Sequence, residues 1–149
     1  MSETSNSNTN SSESTSFDEI SVWRPEDGLS DIVVVSVRSL DEVLDGFEHA
    51  LSTGDLDPTP RISFISYELM HKVLAPNRMS IVQAMTGQGP LSIREVARRV
   101  GRDFKGVHTD VTALTRNGVV QKTVDGRIVF PYSKIHFDFE FGAADQSAA

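Results

Sequence analysis

The chain has 149 residues, 38% of them apolar, no cysteine and a formal charge of −7. Its length supports one domain, or one small domain with an appendage, and is enough to bury a core. The missing cysteines exclude a disulfide framework, a thiolate metal site and a cysteine nucleophile, and with no apolar run of membrane-spanning length and no leader-like start the sequence predicts a cytoplasmic protein without membrane contact.

Residues 1–17 are almost wholly Ser, Thr, Asn and Glu, too poor in apolar surface to offset the entropy of ordering, and predict a disordered tail. Ile32 to Val37 is a β-branched run that reads as a strand covered on both faces or packed at an interface. A helix follows, opened by a Ser39 to Glu42 capping box, with Leu40, Val43, Leu44, Phe47 and Leu51 on one apolar face. After Gly54 and the Pro58-Thr59-Pro60 linker, Arg61 to Ile65 reads as a second strand. Residues 31–66 thus form a strand-helix-strand appendage, a series that usually places its strands parallel.

Residues 67–131 read as a helical domain with a hairpin. Ser66 caps a short helix carrying Tyr67, Met70, Val73 and Leu74, and Pro76 starts a separate helix to about Thr86, with Ile81, Val82 and Met85 buried. Gly87-Gln88-Gly89-Pro90 breaks the chain. The next helix opens with a Ser92 to Glu95 capping box, in which the hydroxyl accepts the Glu95 N–H and the carboxylate reaches back to Ser92, and it buries Ile93, Val96, Ala97 and Val100. Gly101 stops it and Asp103 caps another helix two residues later. That last helix is expected to bury Phe104, Val107, Val111 and Leu114 and to end at Asn117-Gly118. Val119 to Val124 and Arg127 to Phe130 then flank Asp125-Gly126, predicting a two-residue type I′ hairpin.

In residues 134–141, Ile135, Phe137, Phe139 and Phe141 alternate with His136, Asp138 and Glu140, a half-buried strand whose best cover is the run at Ile32 to Val37. The two ends of the ordered chain should therefore meet, in a small sheet beside the helical domain or across the two-fold axis of a homodimer. Residues 142–149 read as a second disordered tail.

Three helices followed by a hairpin give the fold class: α+β, a winged helix-turn-helix with a small N-terminal β-α-β appendage and a C-terminal strand joining it. Charge supports a nucleic-acid face on it. Between Pro76 and Pro131 nine basic residues stand against four acidic ones, a segment of +5 in a remainder of −12. If the helix from Asp103 enters a major groove, Lys105, His108, Thr109 and Thr112 are nearest the base edges. Arg98, Arg99, Arg102 and Arg116 are suited to phosphates, and Lys122 and Arg127 sit by the wing, where an arginine can enter the minor groove.

The stretch from Ser63 to Phe139, and most specifically "GPLSIREVARRVGRDFKGVHTDVTAL" with "DGRIVFPY" behind it, resembles a family of winged-helix DNA-binding proteins common in haloarchaea and found in some bacteria. The excess of acidic over basic residues and of arginine over lysine is similar to haloarchaeal composition. The family is similar to multiple-antibiotic-resistance-type and arsenic-repressor-type regulators. The resemblance implies a transcriptional regulator of double-stranded DNA, or an antitoxin-like partner of a neighbouring toxin. Gly106 departs from it, standing where a better helix former is usual, and a helix-interior glycine costs about 1 kcal/mol.

No enzymatic constellation accompanies these features. His49, His71, His108 and His136 are scattered without metal-ligand spacing, and Gly87-Gln88-Gly89 lacks the lysine and hydroxyl of a phosphate loop. The sequence therefore predicts a non-enzyme with no cofactor and no metal. A protein-interaction module is the rival reading, favoured if the arginines are tied up in intramolecular ion pairs.

Overall fold

The computed structural model describes residues 22–140; both predicted tails and Phe141 lie outside the described residues. Within that span the chain is α+β, with five α-helices and two three-stranded sheets. In chain order these are β1 (Val22–Trp23), β2 (Val33–Val37), α1 (Leu40–Thr53), β3 (Arg61–Phe64), α2 (Tyr67–Val73), α3 (Pro76–Met85), α4 (Ile93–Val100), α5 (Phe104–Arg116), β4 (Gln121–Thr123), β5 (Ile128–Val129) and β6 (Ile135–Asp138).

One sheet has the order β3-β2-β6 with both neighbours parallel to β2, Val35 standing opposite Ile62 on one side and Phe137 on the other. As the central strand, β2 is buried on both faces, which is why its sequence is apolar without alternation. The run at Val33–Val37 and the strand at Ile135–Asp138 thus meet within one molecule, side by side in the ladder, the first of the two arrangements expected for them. Because β6 lies beside β2 and does not stack on it, Phe137 stays 42% exposed.

Sheet and helices share one core. Val33, Val35 and Phe64 of the sheet pack with Met70, Val73, Ile81, Met85, Val96, Val107, Val111, Leu114 and Phe130. Leu114 is fully buried in it, and truncating such a leucine to alanine costs about 2–5 kcal/mol through lost transfer energy and the cavity left behind. The helices α3, α4 and α5 pack on one another.

The second sheet, β1-β4-β5, contains a strand with no periodicity to announce it. Val22 and Trp23 pair in parallel with Lys122 and Thr123, and the buried Trp23 donates its indole N–H to Gly28 O at 3.0 Å. Leu91, in the loop before α4, exchanges two backbone hydrogen bonds with Ile128, tying the hairpin to the helices.

Three local expectations are corrected. The hairpin loop has three residues, with Thr123 N–H donating to Arg127 O, and Gly126 (φ 83°) is its one positive-φ residue, so a type I′ turn is excluded. Asp125 is held from both sides, by the Thr123 hydroxyl and by Arg127 Nε at 2.9 Å. At Ser92 only half of the capping box forms: its hydroxyl accepts the Glu95 N–H at 3.1 Å, but the Glu95 carboxylate is drawn to Arg98 and Arg99 one turn on. Phe104, expected in the core, is 45% exposed at the first turn of α5.

The helix α1 has both bonds of its capping box, between Ser39 and Glu42, yet it buries no residue. Its polar side, Glu42, Asp45, Gly46 and His49, lines a cleft of about 660 Å3 shared with Ser36, Arg61 and Asp138 of the sheet. The apolar face is turned outward. Gly46 leaves room on the cleft side, since a Cβ there would stand 3.1 Å from Arg38 Nη2, whose guanidinium also donates to Glu42 O.

Candidate nucleic-acid interface

The helix α5 is built to present one side. Asp103 caps it by accepting the Gly106 N–H at 2.8 Å, Val107, Val111 and Leu114 anchor it in the core, and Asn117 ends it. Lys105, His108, Thr109, Thr112 and Arg116, spaced three and four apart along the opposite side, are all exposed. The structure thus brings five of the ten expected contact residues onto one continuous stripe. Lys105 and Arg116 make no ion pair among the described residues.

The threonine hydroxyls on this stripe have local partners. Thr109 Oγ1 donates to Lys105 O at 3.1 Å and Thr112 Oγ1 to His108 O at 2.8 Å. With the donors turned back onto the helix, an approaching ligand meets methyl groups and hydroxyl lone pairs.

The position of α5 is set by Asp110. Its carboxylate accepts from Arg102 Nη1 at 2.8 Å and Arg78 Nε at 3.3 Å, joining α5 to α3 and to the turn after α4. About three-quarters of each guanidinium side chain is covered. Arg102, read from the sequence as a phosphate contact, has its guanidinium engaged by Asp110 in this structure. Gly106 belongs to the same arrangement, since a Cβ there would lie 3.1 Å from Asp103 Oδ1 and 3.3 Å from Arg102 Nη2.

Arg98 and Arg99 share Glu95, through contacts of 2.5 and 2.9 Å, and Arg99 also donates to Gln88. The two guanidiniums hold the Glu95 carboxyl at about 2, well below its usual value, chiefly through their hydrogen bonds. Arg98 remains mostly exposed, while Arg99 is two-thirds covered. At the hairpin, Arg127 pairs with Asp125, whose carboxyl is lowered first by the Thr123 hydroxyl and then by Arg127. Lys122 is exposed and makes no ion pair among the described residues.

Sequence reasoning missed Arg94 and Phe104. The Arg94 guanidinium carbon sits 5.3 Å from the Phe104 ring centroid, and the His108 ring lies 5.8 Å away along α5. Phe104 falls on the spacing of the buried residues Val107, Val111 and Leu114, but at the first turn the ring lies under a cation and not in the core. The same position, at the start of an exposed helix face and beside a basic residue one helix earlier, was the available signal.

Among the described residues no helix is long and apolar enough to cross a membrane, and no group of three or more His, Cys, Asp or Glu side chains is arranged to hold a metal ion. A family model described as HVO_A0114 matches residues 73–137, under half of the chain. The match takes in α3, α4, α5, the hairpin and most of β6, and leaves out β2, α1 and β3. No curated protein and no solved structure matches.

Proposed function

We propose that the chain is a cytoplasmic, sequence-specific regulator of transcription, a winged helix-turn-helix in which α4 and α5 form the helix-turn-helix and the β4-β5 hairpin is the wing. The observation that carries this reading is the stripe Lys105, His108, Thr109, Thr112 and Arg116, exposed on a helix anchored by its other side. A helix about 10–12 Å wide fits the major groove of duplex DNA, roughly 12 Å across. Lys105 then donates to guanine O6 or N7, the threonine methyls pack on thymine, and Arg116 holds a phosphate. Phe104 joins them as an apolar contact to a thymine methyl.

The ion pairs sort the remaining cations. Arg98 and Arg127 keep most or half of their side-chain surface, and surface pairs of this kind are weak enough for a phosphate to displace the carboxylate. Lys122 needs no such exchange. Arg102 and Arg99 stay in place and hold the scaffold. Glu95 and Asp110 each meet two guanidiniums, so both clusters keep a net positive charge.

Selection from a randomised duplex library, repeated at several salt concentrations, tests this. Enrichment of a defined motif supports it; a library that stays random removes it. A second reading, a protein-docking module such as the toxin-neutralising partner of a toxin-antitoxin pair, is favoured by the five arginines paired to carboxylates within residues 76–131. It predicts no enriched motif at any salt.

A further inference from the structure

The unburied helix α1 carries the least explained surface of the molecule. Leu40, Leu44, Phe47 and Leu51 keep 62, 55, 64 and 71% of their area, with Val43 beside them at 37%. At those fractions the stripe exposes on the order of 600 Å2, the upper end of what a monomer usually leaves to water. The polar side of α1 faces Arg38 and Arg61 across the cleft, which leaves the apolar stripe turned outward.

We infer that this stripe is a homodimer interface, α1 packing antiparallel on α1 of a second copy. The spacing of Leu40, Leu44, Phe47 and Leu51 is four, three, four, the repeat of a helix-pairing seam. It is also the same read from either end. A two-fold axis passing between Leu44 and Phe47 therefore sets Leu44 against Phe47 of the second copy and Leu40 against Leu51, the self-complementarity that an isologous contact requires. Two such stripes bury at most about 1,200 Å2, the lower bound for a specific, stable interface, so the dimer should be of micromolar strength.

Charge gives the interface a signature. The residues flanking the seam, Asp41 and Glu48, are acidic, and α1 contains no lysine or arginine. The pairing brings like charges together at its rim, so salt strengthens it by screening, the reverse of what salt does to a protein on DNA. The antiparallel arrangement also sets each helix N-terminus beside the C-terminus of its partner, where the helix dipoles attract. This assembly stands apart from the DNA reading and holds or fails without it.

Sedimentation equilibrium of the full chain from about 1 to 100 µM, in roughly 0.1 and 1 M salt, tests the inference. The wild type should sediment as a species of twice 16.4 kDa, with a dissociation constant several-fold tighter in high salt. A Leu44→Glu, Phe47→Glu double variant should stay monomeric with its circular dichroism unchanged, because neither side chain is buried in the single chain, and should melt at the temperature the wild type reaches when diluted below its dissociation constant. Since the chain has no cysteine, Leu44→Cys gives a single thiol, which a short bismaleimide should join between copies, while Asp45→Cys on the polar side should not be joined. A monomeric wild type at both salts overturns the inference, whether the stripe then serves a basic foreign helix or is covered by its own chain. A dimer that survives the double variant overturns it as well.

Discussion

Asp110→Asn probes how α5 is held. The substitution keeps the shape of the side chain and one acceptor oxygen but removes the charge that Arg78 and Arg102 share. Exposed pairs contribute about 0–1 kcal/mol, and removing one partner of a fully buried pair costs about 3–5 kcal/mol. With Asp110 at 15% and the two arginines at 24% and 27% exposure, the loss should fall between, about 2 kcal/mol. For a chain of this length that lowers the melting temperature by about 4–8 °C. Urea unfolding followed by circular dichroism reads the loss directly. Because the groups are mostly covered, about the same loss should appear in 1 M salt, while the effect of Arg98→Gln, at a 72% exposed side chain, should be smaller and fade there. If Asp110→Asn destabilised no more than Arg98→Gln, or its effect vanished in salt, the carboxylate would not be positioning α5.

Other substitutions separate contact from scaffold. Lys105→Ala should reduce discrimination between the selected duplex and single-base variants by about 1–3 kcal/mol, and Thr109→Ala, which removes only a methyl contact, by about 0.8 kcal/mol or less, both measured by competition binding. Replacing the contacted thymine by uracil removes one methyl, worth about 0.8 kcal/mol or roughly fourfold in affinity. Wild type should register that loss and Phe104→Ala should not; equal sensitivity in both would take Phe104 out of the interface. Glu95, with its native value near 2 against about 4.5 in the unfolded chain, contributes stability that is complete above about pH 4.5 and lost as pH falls toward 2. Thermal melts at pH 5 and pH 3 should therefore differ less in Glu95→Gln than in wild type.

Much of the backbone could be read from the residues because local chemistry decides it. Ser39, Ser66, Ser92 and Asp103 each accept an N–H in the first turn of the helix they open, and Pro76 begins α3. What escaped depends on neighbours far along the chain. Val22 and Trp23 form a strand only because β4 offers an edge a hundred residues later. The amphipathic pattern of α1 says that one side is apolar without saying which side faces the sheet; in the fold the polar side lines the cleft beside Arg38 and Arg61. Glu95 has the spacing of a capping box, but two arginines one turn ahead attract its carboxylate more strongly than the Ser92 N–H does. In the site, the stripe on α5 followed from periodicity, whereas the exposure of Phe104 and the engagement of Arg102 required the packing of three elements.

If α5 carries its exposed stripe into a DNA groove, the salt dependence of binding must reflect the phosphates it meets. Fluorescence anisotropy titrations of the selected duplex, from roughly 0.1 to 0.5 M salt, should give for wild type a steep linear fall of log K with log salt. Arg116→Ala should make that slope shallower by about one while lowering affinity for selected and scrambled duplexes alike. A slope unchanged by Arg116→Ala, or no measurable affinity for duplex DNA at the lowest salt, would take α5 out of the groove.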